Sequence, residues 1–112
     1  MRLAVLPLAL ALMTGCTATV GQTRVAFAVG FLADCGTTEI GLKQPGVVES
    51  NPVMKTATFT TAIALALVAV VIAEHLHARD KDGAAKLVYG LGAAIHTAAA
   101  LWNVHVIQQA RR

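Results

Sequence analysis

Charge is scarce in this chain: 13% of its 112 residues are Asp, Glu, Lys or Arg, against 56% that are hydrophobic. A soluble globule of this length buries only about two-thirds of its chain surface, so much of the Ala, Val and Leu here would face water. That excludes a small soluble domain. Cysteine is as sparse, with only Cys16 and Cys35. Neither has neighbours at zinc-ligand spacing, so no structural metal site and no disulfide are expected. Aromatic residues make up 4% of the chain and its nine basic residues are scattered, which leaves no basic patch with interleaved rings for nucleic acid. The one serine, Ser50, falls in a turn with no evident base, and Gly90-Leu91-Gly92 lies mid-helix with no strand before it. Nucleophilic catalysis and nucleotide binding therefore lack their usual motifs, and the chain is expected to be no enzyme and to carry no cofactor.

What the chain does have is long apolar runs. Thr56 to Ala73 and Leu87 to Ile107 carry no charge, and the polar hairpin Arg79-Asp80-Lys81-Asp82-Gly83 separates them. Each is about long enough as a helix to cross a hydrocarbon core. The valines and isoleucines at positions 68 and 70–72 would also suit a strand, but the uninterrupted length of the run favours helix. The expected fold is an all-α integral membrane bundle of about three helices, near 24–42, 52–77 and 84–109. Between the first two, Pro45-Gly46 favours a type II turn, and Asn51 before Pro52 suits an N-cap with proline at the first helical position. Glu74, His75, His77 and Arg79 mark the emergence of the second helix. His75 and His77, two residues apart, point different ways and cannot jointly grip a metal.

Residues 1–15 read separately. Arg2 followed by the apolar run Leu3 to Met13 has the form of a secretory signal. The run ends in Met13-Thr14-Gly15-Cys16, which resembles a bacterial lipoprotein cleavage box; by that resemblance Cys16 is lipidated and becomes the mature N-terminus, with residues 16–23 a polar linker. The competing reading is an uncleaved anchor helix.

The first mature helix, Val25 to Leu42, is about 27 Å long if fully helical, and it contains Asp34, Thr37, Thr38 and Glu39. A carboxylate at the bilayer centre costs about 2.5 to 3.5 kcal/mol even on lenient insertion scales. Yet Gly30, Asp34, Thr37, Thr38 and Gly41 share one helical stripe, so this polar side is expected to face protein, although an interfacial helix is the alternative. In the last helix, His96 and Asn103 share a face at i and i+7. Gly90, Ala94 and Ala98 recur every fourth residue and, with Ala93 and Thr97, predict a groove for a second backbone, unless they reflect alanine-rich composition alone. The second helix is the expected partner, because the short hairpin makes the two antiparallel neighbours. Tyr89 and Trp102, about 20 Å apart along the helix, are expected near the two interfaces, with Arg111 and Arg112 snorkelling from the far end.

The candidate site is thus an intramembrane polar cluster of Asp34, Thr37, Thr38, His96 and Asn103, with Glu49, Asn51 and Pro52 at the loop and cap. Such a cluster can fix the bundle's register with no ligand; a metal or proton site using Asp34 and His96, with Glu49, has suitable donors but no local ligand spacing. Asp34-Cys35-Gly36-Thr37-Thr38, Glu49-Ser50-Asn51-Pro52 and Asn103 following His96 together resemble the D-x-x-T-T, E-x-N-P and late-Asn pattern of an uncharacterised family of small bacterial membrane proteins. The resemblance covers residues 25 to 110 and implies a three-helix membrane domain, 24–112, with no known activity.

The expected role is a structural or interaction component of the bacterial inner membrane. Its partners would be the lipid bilayer, a second copy or other membrane proteins, and the mature N-terminus would lie on the periplasmic side. The alternatives are a pore-forming, holin-like protein and a metal or proton carrier.

Overall fold

The computed structural model describes residues 17–49 and 58–112. All of their regular structure is helical: α1 (Val20–Leu42), α2 (Thr58–His77) and α3 (Asp82–Ala110). Each is long and apolar enough to cross a membrane. At 1.5 Å per residue they measure about 34, 30 and 43 Å, against a hydrocarbon core of about 30 Å.

α1 begins at Val20, four residues before the expected start, so the second half of the expected linker is helical. A capping box is the cause. The Thr19 hydroxyl accepts from the Gln22 backbone N–H at 3.1 Å, and the Gln22 side-chain oxygen accepts from the Thr19 N–H at 2.9 Å. After α1, the Val47 N–H donates to the Gln44 carbonyl at 3.3 Å across Pro45-Gly46, with Gly46 at φ 77°. That is the type II arrangement, in which the third residue must enter the left-handed region. α2 closes in a Schellman motif: the Lys81 N–H reaches Leu76 O and the Asp80 N–H reaches His77 O, each at 3.0 Å, with Asp80 at φ 55°. The hairpin is therefore short, and α3 starts at Asp82. Asn51 and Pro52, expected to open the second helix, lie outside the described residues, as does the segment ending in Cys16.

The packing differs from the expected arrangement. α3 lies mainly against α1, not α2, and α1 and α2 barely touch. Because α2 returns between them, α1 and α3 run parallel, with Gly30 facing Ala93 and Gly41 facing Ile107. The reason lies in the faces. α2 is apolar on nearly every side, and lipid tails solvate such a surface as well as another helix does. Only 6% of its span is buried, and Leu67 and Val71 are 59% and 67% exposed. The faces of α1 and α3 that meet carry small and polar residues, which lipid serves poorly.

The close approach also falls on other residues than Gly90, Ala94 and Ala98. A Cβ at Gly90 would meet nothing within 4 Å, whereas one at Gly92 would stand 2.5 Å from the Phe27 ring and one at Gly30 would stand 3.2 Å from the Ala93 carbonyl. Ala94 is buried and Ala98 half-buried, so they contribute to the packed side without forming the tightest contact.

Candidate functional site: two polar clusters between the helices

The Asp34 stripe of α1 and the His96–Asn103 face of α3 meet inside the bundle. His96 Nδ1 lies 2.7 Å from Asp34 Oδ2. An ionised carboxylate only accepts, so the imidazole donates from Nδ1 and leaves Nε2 as its second site. Both side chains are 21% exposed, and the ring sits edge-on to Phe27 and Phe31, with centroids 5.7 and 5.3 Å away. Asn103 Nδ2 approaches Thr38 Oγ1 at 2.9 Å, Thr37 Oγ1 at 3.2 Å and Asp34 Oδ1 at 3.4 Å. An amide nitrogen has two hydrogens, so the two threonine contacts carry the bonding and the carboxylate contact is the weak one. The Thr37 hydroxyl donates back to the Ala33 carbonyl at 2.8 Å, the i−4 bond open to a helical threonine. Thr38 Oγ1 donates to Asp34 Oδ1 at 3.4 Å.

The residues named from sequence thus separate by place. Asp34, Thr37, Thr38, His96 and Asn103 come together. Glu49 lies farther toward the α1–α2 connection, where it lines a cavity of about 370 Å³ with Thr38, Gly41, Val48, Trp102 and Asn103. Cys16, Asn51 and Pro52 are outside the described residues. Among the described residues no group of three His, Cys, Asp or Glu side chains gathers to hold a metal ion.

A second cluster joins all three helices near the hairpin. Arg24 of α1 grips Glu74 of α2 with two parallel bonds, Nε to Oε1 at 2.8 Å and Nη2 to Oε2 at 3.0 Å. The Tyr89 hydroxyl of α3 donates to the same Oε1, and the Arg24 guanidinium lies 6.0 Å from the centroid of the Tyr89 ring. Sequence reasoning missed this group. It took Glu74 as a marker of emergence and Tyr89 as an interfacial ring, and joined neither to Arg24; the Tyr89 side chain is fully buried among the helices. The available signal was the Thr-x-x-Gln capping pattern at Thr19 and Gln22. It would have carried α1 back past Arg24 and put a cation on a helix opposite Glu74. Trp102, by contrast, is 64% exposed on the outer surface.

His75 and His77 are both exposed, and His77 Nδ1 pairs with Asp82 Oδ1 at 2.6 Å across the hairpin. Compared with known proteins, the chain matches no family model, no curated protein and no solved structure.

Since the Glu74 carboxylate bonds the end of α2 to both other helices, Glu74→Gln should loosen that end. The bidentate carboxylate grip is lost while length and shape are kept. Amide exchange in the last two turns of α2 should speed up in lipid nanodiscs, with α1 and α3 little changed. Unaltered exchange would mean that hairpin closure and the apolar packing around Ala73 hold α2 without the carboxylate.

Proposed function

We propose that this chain is a structural or interaction component of the bacterial inner membrane, a compact helical bundle that acts through a second copy or other membrane proteins. The supporting observation is its inside-out distribution of chemistry. Among the described residues the polar side chains at bundle depth bond to one another, no buried side-chain nitrogen or oxygen lacks a partner, and large aliphatic residues cover the outside. Lipid suits such a surface, and such an interior needs no ligand to be satisfied. The lipobox-like sequence supports a second anchor at Cys16, which would bring the mature N-terminus to the periplasmic side. With α1 and α3 parallel, the hairpin would share that side, and the α1–α2 connection and C-terminus would face the cytoplasm.

The reading is tested by expressing the full chain in a bacterium, isolating the membranes and measuring the intact mass of the extracted protein. The expected results are resistance to carbonate extraction, a diacylglycerol adduct on a chain beginning at Cys16, and an unchanged membrane potential during accumulation. Sudden loss of potential would replace this reading with the pore-forming one, and release by carbonate would remove the membrane from it altogether.

A further inference from the structure

The cavity of about 370 Å³ lies between α1, α3 and the α1–α2 connection. Sites for small molecules are clefts of about 300 to 1,000 Å³ with mainly apolar walls and a few polar groups that orient the ligand. This cavity has that make-up. Leu42, Val47, Val48 and Val106 supply aliphatic wall, and Glu49, Asn103 and Trp102 supply polar and aromatic groups. Its depth bears on the ligand. Asn103 stands about 32 Å along α3 from Asp82, against a hydrocarbon core of about 30 Å, so with the hairpin at one interface the cavity lies at the headgroup level of the other.

The polar groups facing this space are acceptors. Thr37 donates its hydroxyl hydrogen to the Ala33 carbonyl and Thr38 donates its own to Asp34, so both hydroxyl oxygens accept from Asn103 Nδ2. That fixes the amide: its nitrogen faces α1, and its oxygen is the end left for the cavity. Glu49, half-buried, adds a carboxylate, which has about four lone-pair sites and so keeps acceptor capacity beside the bonds it makes within the chain. The basic side chains at this end are engaged elsewhere, Lys43 Nζ with Glu39 at 2.9 Å and Arg111 Nε against Gln44 Oε1 at 3.5 Å. Trp102 adds an indole, the aromatic surface that attracts a cation most strongly.

We propose that this cavity binds a primary ammonium group carried on an apolar chain, the chemistry shared by an aminophospholipid headgroup and a free alkylamine. The N–H donors of such a group need acceptors, which the Glu49 carboxylate and the Asn103 amide oxygen supply, and its charge is matched by Glu49. A quaternary ammonium has no hydrogen to give them, and an anion would meet the carboxylate. The aliphatic wall takes the first carbons of the chain. This assignment goes beyond the structural role: it names a ligand, and it leaves the bonds of the Asp34–His96 pair as they are.

Trp102 is the only tryptophan of the chain, so its fluorescence reports on the cavity directly. The test places the full chain in phosphatidylglycerol nanodiscs, which hold no ammonium group, and adds phosphatidylethanolamine, dodecylamine or dodecanol in separate titrations. The expected result is a saturable change in Trp102 emission with the two amines and none with the alcohol. Glu49→Gln keeps the shape of the side chain and removes its charge, and should raise the half-saturating amine by about tenfold or more, the loss of one hydrogen bond to a charged group. A response to phosphatidylethanolamine makes the ligand a lipid, and a response to dodecylamine alone keeps the site and makes the ligand a free amine. No saturable change with either amine, or an equal response to dodecanol, overturns the proposal. An amine response unaltered in Glu49→Gln overturns it too, since mere attraction to the anionic bilayer surface would give that result. Should Glu49→Gln fail to fold, the amine against the alcohol on the unmodified chain still decides.

Discussion

Replacing His96 by leucine should lower the stability of the bundle by about 3 kcal/mol or more, because it strips Asp34 of its imidazole partner at membrane depth. Thr38 and Asn103 cannot make up the loss. Both lie 3.4 Å from Asp34 Oδ1, at the weak end of hydrogen bonding, whereas the imidazole nitrogen lies 2.7 Å from Oδ2. The matching variant is Asp34→Leu combined with His96→Leu, which removes both partners and leaves apolar groups of similar size. A buried pair taken out whole is often neutral or even stabilising, so this double variant should return to within about 1 kcal/mol of the parent. The measurement is equilibrium unfolding in mixed micelles with increasing denaturing detergent. A single variant as stable as the parent would show that the pair contributes no coupling, and a double variant no better than the single would show that the cost lies in packing.

The second large effect is expected at Gly92. Substitution by leucine should destabilise the bundle by about 2 kcal/mol, the usual penalty for forcing extra carbon into a packed contact. The first atom added would already stand 2.5 Å from Phe27 Cε2 and 2.6 Å from Cδ2. The ring has little freedom to yield, being packed between Tyr89, His96 and Phe31. Phe27→Ala removes the obstacle, so although it is costly by itself, adding Gly92→Leu to the Phe27→Ala chain should cost at most half of what it costs in the parent, and the two substitutions should fail to add when measured in the same micelles. Additive costs would place the Gly92 effect in the helix itself, not in the contact with α1. Leucine at Gly90, where an added Cβ meets nothing, serves as the control and should be nearly neutral.

These predictions mark where reading the residues in order succeeds and where it stops. The polar stripe of α1 was legible because a helix repeats on a fixed angle: Asp34, Thr37 and Thr38 must share a face in any structure that keeps the helix. His96 and Asn103 share a face of α3 for the same reason. That the two faces meet follows from the cost of leaving either against lipid, a strong argument when only a few polar residues lie at bundle depth. Arg24, Glu74 and Tyr89 come one from each helix with no spacing that links them, and each has an ordinary use near a membrane surface. No local rule joins them.

From its sequence alone this chain is a set of apolar helices broken by polar turns. Length, hydropathy and the Pro-Gly and hairpin signals are properties of consecutive residues, and they give the same answer however the helices later pack. The tertiary structure decided which helix α3 takes as its main neighbour, and with it the roles of Gly92, Phe27 and Tyr89. Lipid covers an aliphatic face as well as another helix can, so proximity along the chain does not select the partner. The choice falls on the pair of faces whose backbones can come close and whose polar groups can satisfy one another, and that depends on the rotation and tilt of two helices together.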